Sequence, residues 1–83
     1  MANIYNRLSL FRTERGISRA DLAARVDVNP QTIGFLERGD YSPSVELALK
    51  LSRELGVSVE ELFSLEPFPD LASQLKLLKQ AGS

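Results

Sequence analysis

The fold is decided by residues 16–63, which read GISRADLAARVDVNPQTIGFLERGDYSPSVELALKLSRELGVSVEELF. Four residues of this stretch have side chains that cap helix N-termini, and each precedes an apolar run of helical period: Ser18, Asn29, Ser44 and Ser58. Such side chains accept a hydrogen bond from the free backbone N–H groups of a first helical turn. The spacing therefore predicts four consecutive short helices.

The ends of these predicted helices are marked as clearly as their starts. Gly39 and Gly56 suit the left-handed backbone that closes a helix, and Pro30 fits a first helical position. The predicted spans after the first helix are a short helix that follows Ser18 and stops before Asp27, then Pro30 to about Arg38, Val45 to Leu55, and Ser58 through Phe63. Upstream, Ile4, Leu8 and Phe11 recur at i, i+4 and i+7, which predicts a helix of about ten residues. No segment alternates like a strand, so the predicted class is all-α.

Composition narrows the chemistry available to the chain. Its 83 residues support one domain, and it contains neither cysteine nor histidine. It therefore lacks thiolate nucleophiles, the ligands of an ordinary structural zinc site and the usual general base near neutral pH. We expect no enzymatic activity, no metal, no cofactor and no small-molecule ligand.

Charge and hydropathy bear on location and partners. No run approaches the ~18 apolar residues of a membrane span, and the N-terminus lacks a signal-peptide core, so we expect a cytoplasmic protein. The net charge is −1. Residues 1–53 carry eight basic and six acidic side chains, whereas residues 54–83 carry two and five. The front of the chain is therefore mildly basic and the tail acidic.

Two of the predicted helices are separated by only about three residues and must cross steeply. Ala23 supplies the small side chain for the close approach, while Ile33 and Leu36 point towards the partner helix. The outer face of the second helix of this pair then combines amide, hydroxyl, aromatic and guanidinium groups: Gln31, Thr32, Phe35 and Arg38.

The same stretch resembles the Cro/lambda-repressor type of helix-turn-helix protein, also called the xenobiotic-response-element (XRE) family. The segments ISRADLA, QTIGFLERG and PSVELALKL match the family pattern together and at its spacing. The resemblance extends from about Arg7 to Phe63 and is strongest to the minimal single-domain regulators. It implies a compact five-helix domain whose helices 2 and 3 form the helix-turn-helix, with helix 3 in the DNA major groove.

The resemblance also implies roles for individual residues. Those implied to contact base edges are Gln31, Thr32 and Phe35; those implied to contact phosphates are Arg19, Asn29, Arg38, Tyr41 and Ser42. Arg12 and Glu37 match a pair that in the family forms an ion pair between the first and third helices.

Three residues depart from the family pattern. Asp27 stands where the turn usually has glycine, and aspartate tolerates a positive φ better than most residues. Pro30 replaces a position that often carries a base-contacting side chain. Gly34 lies in mid-helix, where glycine is unfavourable, and one interpretation is that it admits close approach of DNA.

The sequence pattern changes near the end of the chain. The segment Glu66-Pro67-Phe68-Pro69 cannot be helical throughout, and it is followed by leucines at i, i+4 and i+7: Leu71, Leu75 and Leu78. We therefore expect a helix-turn-helix domain at residues 1–64, and a linker with a C-terminal amphipathic helix at 65–83. That helix either folds back onto the domain or contacts a second copy in a dimer.

These patterns leave two functions open. The first is a sequence-specific regulator that binds double-stranded DNA in the nucleoid, acting as a homodimeric repressor. The second is an antitoxin or adaptor that uses the same domain and takes a protein partner on its C-terminal segment.

Overall fold

The computed structural model of the chain describes residues 4–69 and contains five α-helices and one short strand pair in that range. The helices are α1 (Leu8–Glu14), α2 (Arg19–Arg25), α3 (Pro30–Arg38), α4 (Val45–Leu55) and α5 (Val59–Leu62). The strands are β1 (Tyr5–Asn6) and β2 (Phe63–Ser64). Within residues 4–69 no helix has both the length and the apolar character needed to cross a membrane.

The predicted N-caps are confirmed at all four positions. Ser18, Asn29, Ser44 and Ser58 each have an extended backbone, and each side-chain oxygen accepts a hydrogen bond from a backbone N–H of the first turn. At α5 the Glu61 side chain also accepts from the Ser58 N–H, which completes a capping box. Glycine ends α3 and α4 as predicted, with φ of 77° at Gly39 and 70° at Gly56.

The prediction for the first helix is wrong at its start. Helix α1 begins at Leu8, and Ile4 lies before it, next to the extended residues of β1. The Asn6 side chain explains this start, because its Oδ1 accepts a hydrogen bond from the Leu8 N–H at 3.0 Å. The spacing of four residues between Ile4 and Leu8 therefore does not lie within one helix here.

The prediction that the domain has no strand is also wrong in detail. Strands β1 and β2 pair antiparallel, with Tyr5 opposite Ser64 and Asn6 opposite Phe63. Two residues per strand are too few to show an alternating pattern, so the sequence carries no signal for them. The pairing also explains why α5 ends at Leu62, since Phe63 has already adopted an extended backbone.

One apolar core holds the five helices together. Ten buried side chains form it: Leu8, Ile17, Leu22, Ala23, Val26, Ile33, Leu36, Leu51, Leu55 and Leu62. Ala23 is fully buried where α2 packs on α3, as the steep crossing requires. Since interiors are close-packed, this contact fixes the position of α3 relative to the rest of the domain.

Only part of the C-terminal predictions concerns residues that the structure describes. The leucines at 71, 75 and 78 lie outside the described residues, and so do the dimer contact and the protein partner assigned to them. Within the predicted linker, Phe68 packs under the Arg7 guanidinium, whose carbon lies 4.1 Å from the ring centre. The division at residues 64 and 65 stays a prediction.

Candidate nucleic-acid interface

The turn between α2 and α3 is a complete Schellman motif. The Val28 N–H donates to the Ala23 carbonyl at 2.9 Å, and the Asp27 N–H donates to the Ala24 carbonyl at 3.4 Å. Asp27 occupies the left-handed position of this motif, with φ of 61°. The half-buried Val28 packs against the core and completes the turn. The departure from glycine at Asp27 therefore leaves the turn intact.

Asp27→Gly is expected to raise the free energy of unfolding by about 0.5–1 kcal/mol. Left-handed backbone costs a residue with a Cβ atom about 1–2 kcal/mol, and the greater chain entropy of glycine offsets part of that gain. Urea denaturation measures the change. Asp27→Val is the matched opposite, because a β-branched side chain tolerates positive φ poorly and must lower stability. Equal stability of the two variants would contradict the assignment of this turn.

Helix α3 is sharply two-sided. Ile33 and Leu36 are buried against the core, whereas Gln31 and Phe35 are exposed. Phe35 shows 41% of its surface to solvent, which is unusual for a phenylalanine in a domain with a well-packed core. Thr32 is half-buried at the edge of this face. The predicted base-contacting side chains thus share one side of a helix whose other side is anchored.

At the start of α3, one side chain caps the helix and the next is exposed to solvent. Asn29 Oδ1 accepts from the Gln31 N–H at 2.8 Å, so this oxygen is committed to capping the helix. Pro30 follows at the first helical position and is exposed. Of the Asn29 side chain, only the amide N–H groups therefore remain for a phosphate.

A three-residue ion cluster joins α1, α2 and α3. Arg12 Nε donates to Glu37 Oε2 at 2.6 Å, and Arg19 Nε donates to Glu37 Oε1 at 2.8 Å. Arg12 also donates through Nη1 to the Ile17 carbonyl at 2.9 Å. The Glu37 side chain is only 4% exposed, whereas that of Arg19 is 57% exposed. The ion pair expected from the resemblance is present, and Arg19 joins it.

The Glu37 carboxyl is held in its ionised form by this cluster. Burial raises the pKa of Glu37, but the hydrogen bonds and positive charges of Arg12 and Arg19 outweigh it, so the pKa lies below its usual value. Arg19 therefore has a fixed anchor on one edge of its guanidinium while most of its side chain faces solvent. Its geometry fits a phosphate contact that is oriented in advance.

Arg38, the last residue of α3, is held next to this cluster. Its Nε donates to Asp40 Oδ2 at 3.1 Å, and its guanidinium carbon lies 5.0 Å from the centre of the Phe35 ring. Tyr41 completes the group, with its ring 6.4 Å from that of Phe35 at an angle of 56°. Ser42 follows on the exposed loop. The two arginines implied to bind phosphates thus lie on the surface, each next to a carboxylate.

Besides the bond between Arg19 and Glu37, two contacts at this surface escaped the sequence analysis. Asn6 Nδ2 donates to the Leu36 carbonyl at 2.8 Å, which ties β1 to the last turn of α3. Asp40 partners Arg38, although the loop sequence marks it only as a turn residue. Neither pairing leaves a spacing signal, because Asn6 lies 30 residues from its acceptor and Asp40 only two from its donor.

Comparison with known proteins assigns this architecture. The chain matches the helix-turn-helix family model over residues 8–62, which span α1 to α5. The chain belongs to the helix-turn-helix family. An uncharacterized regulator of this type from Methanocaldococcus jannaschii is 38% identical over 61 residues, which cover 74% of this chain and 92% of that protein. A second, from Archaeoglobus fulgidus, is 42% identical over 57 residues, covering 69% and 81%.

A solved structure agrees with this helix-turn-helix assignment. The crystal structure of the clp gene regulator ClgR from Corynebacterium glutamicum is similar with a TM-score of 0.62 and 35% identity. The match covers 65% of this chain and 57% of that one. The predicted family and five-helix fold class are confirmed. The similarity to proteins named as transcriptional regulators also supports the interpretation that this chain is a binding protein and not an enzyme.

Proposed function

We propose that the protein is a sequence-specific DNA-binding transcriptional regulator that inserts α3 into the major groove. The observation that carries this proposal is the two-sided α3, anchored by Ile33 and Leu36 and exposing Gln31 and Phe35. A helix that contacts bases in a DNA groove must be held rigidly on one side and must present polar and apolar groups on the other. The curated relatives, named as helix-turn-helix-type transcriptional regulators, support the same conclusion.

The side chains on the outer face of α3 contact the bases. The Gln31 amide can accept from the N6 amino group of adenine and donate to its N7, a pairing that distinguishes adenine from other bases. Thr32 at the edge of the face and the Phe35 ring add a hydroxyl and an apolar contact. Two good contacts from one small domain give limited specificity, so a second copy on a neighbouring half-site is needed.

Phosphate contacts position the helix. Arg19 and Arg38, which line one recess beside α3, contact the backbone there, and Asn29, Tyr41 and Ser42 add neutral donors. We propose that the protein binds as a homodimer to two half-sites roughly 34 Å apart, one helical turn of DNA. Occupancy of an operator that overlaps a promoter then represses transcription. The footprint length and the mass of the protein–DNA complex test the dimer, and a promoter-reporter fusion tests repression.

Gln31→Ala is the decisive variant for the proposed function. Duplexes selected from a random pool by the native protein should bind this variant about tenfold or more weakly, since a bidentate base contact contributes about 1–3 kcal/mol. The preference at one base pair should relax, and affinity for a scrambled duplex should stay unchanged. Gel-shift titration at low salt measures both.

Ser9→Ala, an exposed polar substitution on α1, is the matched control and should bind like the native protein. The proposal fails if the native protein selects no sequence from the pool. It fails equally if Gln31→Ala keeps the native affinity and base preference.

A further inference from the structure

A recess lies on the outer surface of α3, where a side chain is missing. The buried Gly34 is among its lining residues, and its volume is ≈ 440 Å³. Five side chains surround it: Arg19, Pro30, Gln31, Phe35 and Arg38. The recess is open to solvent and adjoins the side chains assigned above to base and phosphate contacts.

The structure itself does not require glycine at position 34. Gly34 lies in the middle of α3, outside the positive-φ region that favours glycine, and a Cβ added there would have its nearest neighbour, Arg38 Nη1, at 3.6 Å. That distance is an ordinary van der Waals contact. Alanine would therefore fit, and it would favour the helix, since glycine in a helix interior is destabilising. Position 34 thus keeps glycine although the fold permits a helix-stabilising alanine there, whose methyl group would narrow the recess.

The walls of the recess have mixed chemistry that matches one component of DNA. Two guanidinium groups, from Arg19 and Arg38, suit an anion, and two apolar rings, from Pro30 and Phe35, suit a sugar. A guanidinium can also bind the O6 and N7 of guanine, but a base edge would leave the apolar rings of Pro30 and Phe35 without a matching ring face. The backbone unit of a nucleotide, a deoxyribose with its phosphate, carries both an apolar ring face and a negative charge.

We propose that the Gly34 recess seats one deoxyribose-phosphate unit of the DNA backbone, with the phosphate between Arg19 and Arg38 and the sugar against Pro30 and Phe35. Gly34 is then a positioning residue for the DNA complex, because its missing side chain sets how closely α3 approaches the strand. This inference rests on the proposed function. It adds that a residue without a functional group sets the distance between α3 and the DNA backbone.

Gly34→Ala separates folding from binding. The variant should melt at a higher temperature than the native protein and bind DNA about fivefold to tenfold more weakly. Because the backbone is the same in every sequence, affinity for the selected duplex and for a scrambled duplex should fall by the same factor. Gln31→Ala is the matched contrast, since it should lower affinity for the selected duplex alone.

Methylphosphonate substitution locates the seated phosphate. Single neutral methylphosphonates are placed along the selected duplex, and each is titrated with the native protein and with Gly34→Ala. A methylphosphonate at one position should weaken the native complex strongly and the Gly34→Ala complex much less. The reason is that the variant has already lost the phosphate contact in the recess. The native scan also gives an independent readout if the variant folds poorly, since one substitution should then outweigh its neighbours.

Three outcomes would overturn the inference. Native affinity of Gly34→Ala for both duplexes would show that nothing docks in the recess. A loss confined to the selected duplex would place a base edge there instead. A methylphosphonate scan without one dominant, variant-sensitive position would exclude a seated phosphate. Failure of the native protein to bind any duplex at low salt would instead remove the proposed function itself.

Discussion

Glu37→Ala should lower the free energy of unfolding by about 3 kcal/mol, because removing one partner of a buried ion pair leaves the other charge uncompensated. The Arg12 guanidinium is buried and would lose its 2.6 Å partner, while the bond that ties Arg19 to α3 would disappear as well. In a domain of this size, a loss of that magnitude corresponds to roughly 12–24 °C in melting temperature. Thermal unfolding followed by circular dichroism measures it.

Two variants calibrate this expectation. Glu37→Gln keeps the shape and an acceptor oxygen for Arg12 but loses the charge, so its melting temperature should lie between those of Glu37→Ala and the native protein. Glu46→Ala removes an exposed carboxylate that pairs with Lys50 at 3.2 Å, and surface pairs of this kind contribute only about 0.2–1 kcal/mol. A Glu37→Ala protein as stable as Glu46→Ala would show that the cluster does not hold the helices together.

The pH dependence of stability follows from the same cluster. The pKa of Glu37 is lowered in the folded protein, so the carboxylate stabilises the fold fully above its unfolded pKa of about 4.5. This contribution is lost as the pH falls from that value through the lower folded pKa. Stability of the native protein should therefore decline steeply below about pH 4.5, and Glu37→Gln should decline less. Parallel curves for the two proteins would contradict the lowered pKa.

The sequence was most informative where a local rule fixes the backbone. Ser18, Asn29, Ser44 and Ser58 act within three residues of their own position, so the starts of α2 to α5 were predictable from residue type alone. The outward face of α3 was equally predictable, because helical periodicity assigns its sides once the start at Pro30 is known.

The sequence was least informative where distant segments meet. The pairing of Tyr5–Asn6 with Phe63–Ser64 depends on how the two ends of the domain come together, and it shortens α1 without any trace in the apolar spacing. Arg19 shows the same limit at the candidate site. The family resemblance implied a phosphate contact for Arg19, but its bond to Glu37 is decided by the packing of α2 against α3. Charge alone could not reveal that this arginine is held in place.

Arg38→Glu should weaken binding to every duplex by roughly 100-fold or more at low salt, because like charges brought together at an interface cost several kcal/mol. The slope of the logarithm of affinity against the logarithm of salt concentration should also become shallower by about one unit, the change expected for one lost phosphate contact. Fluorescence anisotropy titrations between low and moderate salt measure both quantities. An unchanged slope would show that Arg38 does not contact the backbone.

Asp40→Asn is the informative counterpart, because Asp40 accepts from Arg38 at 3.1 Å and competes with a phosphate for it. An exposed ion pair contributes at most about 1 kcal/mol, so freeing Arg38 should tighten DNA binding roughly twofold to fivefold. The gain should be the same for selected and scrambled duplexes, since a phosphate contact carries no sequence information. In the Arg38→Gln background the Asp40→Asn gain should shrink. An equal gain in both backgrounds would mean that Asp40 acts by general repulsion of DNA and not by holding the arginine.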